Sequence, residues 1–334
     1  MTERAAHEFV FAPRGPFSLA RTSARFVRLP DPVNVIADGA FARLVPAGRE
    51  LALVRVAQEG PVTRARLRVR IDGARGAAAR PAAERLLERV LGAHADLRPF
   101  QRAHASDPLL GPALRAHRGL RVAGSFDLFE ALVNAVLTQQ VNLQFAFSIR
   151  AELACAFGAR ARVDSREWLA FPTAERIARE SEASLRAFRM TSAKAAAIHR
   201  LACACAEGAL DESHLAALPD EHAIAELMRW RGVGRWTAEI VLLRGLGRLD
   251  IFPAGDLAVL KRLARRWLPD PEPPSESAVR AFSERWRPFR SLALVYGLES
   301  LAAEASKPSA QRKARSEPKA NEERLARLRG ARPR

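Results

Sequence analysis

The sequence predicts an α+β protein: an N-terminal antiparallel sheet domain with helices, followed by a mostly α-helical domain. Three observations predict it. Short apolar runs, one of them strictly alternating, fill the chain up to about residue 90. From about Ala93 the apolar spacing is that of helices. Within that second part, Gly232-Val233-Gly234 interrupts two apolar helical faces, the pattern of a helix-hairpin-helix.

The elements follow in order. Phe9-Val10-Phe11, Phe26-Val27-Arg28-Leu29, Phe41-Ala42-Arg43-Leu44-Val45 and Leu51-Ala52-Leu53-Val54-Arg55-Val56 are strand-like runs. Leu67-Arg68-Val69-Arg70-Ile71 alternates with period two, as a half-buried strand does. Pro30-Asp31-Pro32, Asp38-Gly39, Gly60-Pro61 and Asp72-Gly73 punctuate them as turns. A helix is expected from about Pro81 to Leu91, with proline in the first turn, where its missing N–H is no loss. Short helices over 97–105 and 109–118 lead into a long apolar stretch from Phe126 to Phe157, with a break expected near Gln139-Gln140. Further helices are expected at 165–170, 173–180, 182–188 and 191–207, then the two arms of the hairpin, then 255–267, 276–285 and 288–303. No heptad pattern is sustained, which excludes a coiled coil, and no internal repeat is visible. The domains are expected over 1–92 and 93–304. A tail over 305–334 holds ten Lys and Arg against three Glu with few apolar residues, and is expected to be mostly disordered, with a transient helix around 320–329. It reads either as a solvated appendage or as extra attraction for phosphates.

The net charge is +17 and the isoelectric point about 11.2, which favours a polyanionic partner and nucleic acid over a membrane. The chain is also rich in Ala and Arg, so arginine excess alone weighs little. Cys155, Cys203 and Cys205 are an odd set without framework spacing, as expected for reduced thiols in a buried small-residue role. The N-terminal MTERAAHEFVFAPRG lacks the apolar run of a signal peptide, and no stretch reaches the roughly 18 apolar residues of a membrane helix. A soluble cytoplasmic protein is expected.

The residues of the hairpin suggest a grip on phosphates. Ala223, Leu227, Met228 and Trp230 space a helix before it; Trp236, Ile240, Val241 and Leu243 space one after it, starting near Arg235. The unpaired N–H groups at the start of the second helix lie at its positive end and suit a phosphate. Arg235 adds a charge-assisted contact. The same residues also describe an ordinary helical hairpin with a glycine C-cap. Downstream, Phe252-Pro253-Ala254-Gly255 delivers a lone acid, Asp256, ahead of the apolar helical face of Leu257, Leu260 and Leu263. Asp256 reads as a helix N-cap, a role that contributes about 1 kcal/mol, and equally as a carboxylate fixed at the mouth of a cleft. Grip and acid together point to chemistry on a nucleotide.

Three ordered blocks resemble the helix-hairpin-helix/GPD superfamily of DNA base-excision glycosylases. They are GVGRWTA followed by FPAGD, the run from Phe129 to Val141 (FEALVNAVLTQQV), and Trp286-Arg287-Pro288-Phe289-Arg290-Ser291. With a sheet domain before them, the layout is similar to the AlkA-type 3-methyladenine DNA glycosylases, over about residues 119–300. The resemblance implies a two-lobed helical glycosylase domain, with lobes at about 119–250 and at 93–118 plus 251–304. It implies a base-excision repair hydrolase that flips a nucleotide and cuts the N-glycosidic bond of alkylated purines of the 3-methyladenine and 7-methylguanine class, leaving an abasic site. By resemblance Asp256 is the catalytic aspartate. Gly232, Val233, Gly234, Arg235 and Thr237 bind the DNA backbone. A monovalent cation sits on hairpin backbone carbonyls, with no side-chain metal ligands. Gln139, Gln140, Trp236, Leu257 and Tyr296 form the base pocket or wedge. Bifunctional members place a lysine where Trp236 stands; tryptophan cannot form an imine, so no lyase activity is expected. No cysteine follows Cys205, so no iron–sulfur cluster, and no cofactor at all, is expected. The partner implied is double-stranded DNA with a damaged base, bound by a monomer at the nucleoid and not at a membrane.

The chain departs from the AlkA pattern at Ile240, Leu257 and Leu298, aliphatic where pocket aromatics stand. Trp230, Trp236, Phe252, Phe289 and Tyr296 are the remaining aromatic candidates, most of them also explicable as core. The departures leave two other readings open: a non-catalytic binder of damaged DNA on the same scaffold, and a glycosylase for oxidised or deaminated bases.

Overall fold

The computed structural model describes residues 7–268 and 273–305; the expected tail lies outside the described residues except for its first position. The chain opens with strand β1 (His7–Phe11) and helix α1 (Leu19–Arg28), then β2 (Val35–Ala37), β3 (Ala40–Ala47), β4 (Glu50–Glu59) and β5 (Arg66–Asp72). The strands form one antiparallel sheet in the order β1-β5-β4-β3-β2, with Val54 opposite Ile71 and Leu44 opposite Leu53. Helix α2 (Ala79–Arg85) runs on through a π-helical turn, Leu86–Val90, and covers one face of the sheet: Leu86, Leu87 and Val90 share a core with Phe41, Val54, Val56 and Leu67.

The strand expected over Phe26–Leu29 is helix α1. Leu19, Thr22, Ser23 and Phe26 face inward at helical spacing, and the Ser18 hydroxyl accepts from the Arg21 N–H to start the helix. The four-residue apolar run that suggested a strand is the end of that face.

Helices α3 (Arg98–His104) and α4 (Leu110–Ala116) lead to α5 (Leu128–Thr138) and α6 (Leu143–Phe157). The break between the last two falls at Gln139–Asn142, where Gln140 adopts a left-handed φ of 53°. A hairpin follows, β6 (Arg160–Val163) and β7 (Arg166–Leu169), where a helix over 165–170 was expected. Asp164 and Ser165 both take positive φ and turn the chain back. Trp168 and Ala170 then pack on Ala42, Leu44 and Leu53, covering the second face of the sheet. Helices α7 (Ala174–Ala178), α8 (Glu182–Arg186), α9 (Ser192–Ala206), α10 (Glu212–Ala217), α11 (Asp220–Met228), α12 (Arg235–Arg244), α13 (Ala264–Trp267, after a π-turn Val259–Leu263), α14 (Glu276–Ser283) and α15 (Arg290–Ala305) complete the chain around a large apolar core. Among the described residues no helix is long and apolar enough to cross a membrane.

A buried ionic knot joins the sheet region to the helices. Glu130 of α5 accepts from Arg43 of β3 at 2.6 Å and from Arg150 of α6 at 2.6 Å; Arg150 also donates to Asp31, in the α1–β2 loop, at 2.7 Å. All four charges are buried. Burial alone would raise the Glu130 carboxyl, but Arg43 and Arg150 outweigh it and bring it down to about 2. Asp127, the cap of α5, lies beside Glu130; burial and that like charge push it up to about 6. The knot fixes α1 against α5 and α6, and a cavity opens between them.

Candidate active site

The cavity has a volume of about 750 Å³. Its walls come from α1, from α5 and the loop after it, from α6, from α12, from the loop carrying Asp256, and from Leu294 and Leu298 of α15. Asp256, Trp236, Leu257, Gln139 and Gln140 line it together, and so do the aliphatic Ile240 and Leu298.

Asp256 is half-buried and held by three donors. Its Oδ1 accepts from the N–H groups of Ala258 at 2.8 Å and Val259 at 3.3 Å, which is the helix cap expected from sequence. Its Oδ2 accepts from Trp236 Nε1 at 2.9 Å. The indole therefore fixes the direction of the acid, a role that no spacing in the sequence announces. Leu257, the next residue, is exposed at the rim.

The loop that carries the acid is tied to α12 from behind. Glu239 is buried on α12, and burial raises its carboxyl despite Arg280 and Arg235. Arg280 donates to Glu239 at 2.8 Å and to the Phe252 carbonyl at 3.3 Å, so one guanidinium spans the helix and the segment leading to Asp256.

The hairpin lies next to this site. Gly232 has φ 99°, and a Cβ there would stand 2.7 Å from the Ala197 Cβ of α9, so glycine is required by the fold itself. Gly234 is different: it is exposed, has φ −90°, and a Cβ would meet nothing within 4 Å. Helices α5 to α10 each begin with a side chain that accepts from an early N–H. Helix α12 begins at Gly234, which offers no such group, so its first N–H groups keep their capacity for an outside acceptor.

Other expected site residues are placed differently. Thr237 is buried, and its Oγ1 accepts from Gln139 Nε2 at 2.9 Å, so it faces the cavity wall and not an exposed phosphate groove. The same Gln139 amide donates to the Gly232 carbonyl at 2.9 Å, making Gln139 a strut between the α5–α6 loop and the hairpin; Gln140 beside it is exposed. Lys194 steadies that loop by donating to the carbonyls of Leu137 and Gln139 at 2.9 and 2.7 Å. Val233 is buried and its N–H closes the turn on the Trp230 carbonyl at 3.0 Å. Arg235 is engaged by Glu239 at 3.1 Å and Glu221 at 2.7 Å, so its charge is already matched within the protein. Tyr296 is a correction: it is fully buried, packs edge-on to Phe100, donates its hydroxyl to the Leu120 carbonyl, and does not line the cavity. Phe252 and Phe289 are also packed inside, against Trp286 and Phe100.

Two lining aromatics had no sequence signal for this role. Phe26 comes from α1 and Phe147 from α6, so the pocket draws on the sheet region as well as on the helical one. The hairpin carbonyls expected to hold a monovalent cation already accept within the protein: that of Trp230 from the Val233 N–H at 3.0 Å and that of Arg231 from Arg200 at 3.2 Å. The Gly232 carbonyl likewise accepts from Gln139.

A helix-hairpin-helix whose second helix has no side-chain cap, beside one aspartate at a cavity walled in part by α1, defines a class of scaffold built to hold a phosphate backbone next to a carboxylate. Residues 133–288 match the family model described as "HhH-GPD superfamily base excision DNA repair protein", and residues 10–127 match the AlkA N-terminal domain. The chain is 35% identical to DNA-3-methyladenine glycosylase of Bacillus subtilis, over 60% of this chain and 66% of that protein. It is 31% identical to DNA-3-methyladenine glycosylase 1 of Schizosaccharomyces pombe, over 50% of this chain and 70% of that one. The fold is similar to the structure of a 3-methyladenine DNA-glycosylase from Archaeoglobus fulgidus, with TM-score 0.76, 23% identity, and coverage of 89% of this chain and 99% of the other. The chain belongs to the HhH-GPD superfamily of base excision DNA repair proteins, with an AlkA-type N-terminal domain. The matched region spans just under two thirds of the Bacillus relative.

Proposed function

We propose that the protein is a monofunctional DNA glycosylase that flips an alkylated purine nucleotide into the cavity and hydrolyses its N-glycosidic bond. The observation that carries this reading is the Asp256 carboxylate, locked by Trp236 and two backbone N–H groups at the rim of a cavity of about 750 Å³. An enzyme acting on a base must take it out of the stack, which costs a few kcal/mol and least for a damaged base. The exposed start of α12 at Gly234 holds the phosphates beside the flipped nucleotide. Gln140, exposed on its left-handed turn, fills the space left in the duplex.

As the bond from C1′ to the base nitrogen lengthens, positive charge grows on the sugar. A fixed carboxylate stabilises that charge without reorganising. Water then adds to C1′ and gives up a proton, and the base leaves with the bonding pair. Alkylated purines are already cationic, so departure needs little acid assistance. The described residues lining the cavity include no lysine, and Lys194 is spent on two carbonyls, so the reading includes no imine and no strand cleavage. The protein acts as a monomer on nucleoid DNA in the cytoplasm.

The test is release of free bases from methylated duplex DNA, followed over many turnovers. Wild-type protein should release 3-methyladenine and 7-methylguanine, and Asp256→Asn should be slower by about 100-fold or more. Tight binding with no release would make the protein a damage binder. Equal rates for the two proteins would remove Asp256 from the chemistry.

A further inference from the structure

Two guanidinium groups at the cavity are left without a carboxylate. Arg25, on α1, and Arg244, in the last turn of α12, both line it. They donate to one and the same acceptor, the Ala123 carbonyl, at 3.1 and 2.6 Å. Among the described residues neither has a carboxylate within 4 Å, while the acids around them are committed elsewhere. Asp31 and Glu130 are matched by Arg150 and Arg43 in the buried knot, and Asp256 is held by Trp236 and the helix start. Burial lowers both arginines, Arg25 to about 10, and Arg25 itself further lowers Arg244.

Two half-buried like charges sharing one carbonyl repel each other, and an anion placed between them would relieve that repulsion. The guanidinium fork is the side chain best shaped for a carboxylate, which it grips with two parallel hydrogen bonds. Cavities of about 300–1,000 Å³ hold drug-sized molecules, so the space here can take a base that carries a substituent. Asp31 and Glu130 act on Arg25, and Asp256 and Glu299 on Arg244, only from beyond ion-pair distance, so a methylated purine brings its positive ring charge toward two guanidiniums that no carboxylate touches.

We propose that Arg25 and Arg244 form a subsite for a carboxylate carried on the alkyl group of the lesion, so that the substrate class includes purines bearing a carboxymethyl group in place of methyl. The inference rests on the glycosylase reading above. The bond that breaks and the water that replaces the base are unchanged, and the carboxylate is a spectator that leaves with the base. A 3- or 7-carboxymethylpurine carries a cationic ring and an anionic tail. Its ring lies toward Trp236 and Asp256 and its tail toward the two arginines, which satisfies both ends of the cavity at once.

Duplex DNA treated with diazoacetate acquires both methyl and carboxymethyl groups on its purines, so one digest reports both classes by mass spectrometry of the released bases. Wild-type protein should release the carboxymethyl purines at least as fast as the methyl ones. Arg25→Leu and Arg244→Leu should each lower the carboxymethyl-to-methyl ratio about tenfold, with Arg25→Lys and Arg244→Lys falling in between. Because the ratio is internal, partial loss of folding or of general activity cancels from it, and the lysine variants serve where a leucine variant does not fold. Methyl purines released without carboxymethyl purines, or a ratio unchanged in the variants, would overturn the subsite and leave the glycosylase standing. Release of neither class by wild-type protein would overturn both.

Discussion

Trp236 carries two jobs on one ring. Its face borders the cavity, and its Nε1–H fixes one oxygen of Asp256 while helix N–H groups fix the other. A hydrogen bond to a charged group contributes roughly 1.5–3 kcal/mol when its loss leaves the partner buried. Asp256 is only half-buried, so water can replace part of that contact and the low end applies. Trp236→Phe keeps an aromatic face and removes the donor. We expect kcat for base release to fall about tenfold, with little change in affinity for duplex holding an abasic site. Single-turnover rates set against binding titrations separate the two quantities. A loss confined to binding would mean that the ring, not its N–H, is what matters. Sequence alone could set an acid and a tryptophan twenty residues apart near one site. It could not show that one holds the other, because a side-chain hydrogen bond across a loop leaves no periodicity behind.

The hairpin shows how much of an element local chemistry makes legible in the sequence. The two helices, the start near Arg235 and the cap at Asp256 follow from apolar spacing and from the chemistry of Gly, Pro and Asp, which act locally. The misread elements were decided at a distance. Phe26–Leu29 is too short a run to tell helix from strand, and the inward residues that settle it, Leu19 and Thr22, lie earlier in the chain. Residues 165–170 became strand because Trp168 found Leu44 and Leu53 on the sheet, and packing overrides local preference. Tyr296 shares the apolar periodicity of α15 with Leu294 and Leu298, yet they reach the cavity and it reaches Leu120. Within the hairpin the two glycines have different reasons to exist. The free protein has room for a side chain at position 234 and none at 232. Gly234→Leu meets no clash and should therefore cost only the difference between glycine and leucine at a helix cap, about 1 kcal/mol of stability, while weakening damaged and undamaged duplexes alike, since phosphate contacts position without reading sequence. Thermal unfolding and binding to two duplexes measure this. Selective loss for one lesion would place Gly234 at the base and not at the backbone.

On the scale of the whole molecule, function depends on two units meeting. The sheet region supplies Arg25 and Phe26 to the cavity, the helical region supplies the hairpin and Asp256, and the Arg43–Glu130–Arg150–Asp31 knot holds them in register. Charge acts over the same scale. The protein carries +17, and residues 306–334 hold ten Lys and Arg against three Glu, so this short terminal segment accounts for a large part of the excess. The arginines around the site are mostly spent on internal carboxylates: Arg235 on Glu221 and Glu239, Arg280 on Glu239 and Glu276, Arg290 on Asp250. Internal pairing leaves less charge for DNA than the composition suggests, and shifts the burden of non-specific attraction to residues outside those pairs. Each phosphate neutralised by a cation steepens the fall of log K with log salt by roughly 0.9. Removing residues 306–334 should therefore flatten that slope by several units and weaken binding at low salt most, with kcat on saturating DNA unchanged because Asp256, Trp236 and the hairpin are untouched. Binding titrations across a range of salt concentrations decide it. An equal slope with and without the segment would show that its charges do not meet the duplex, and that the grip comes from the hairpin and its neighbours alone.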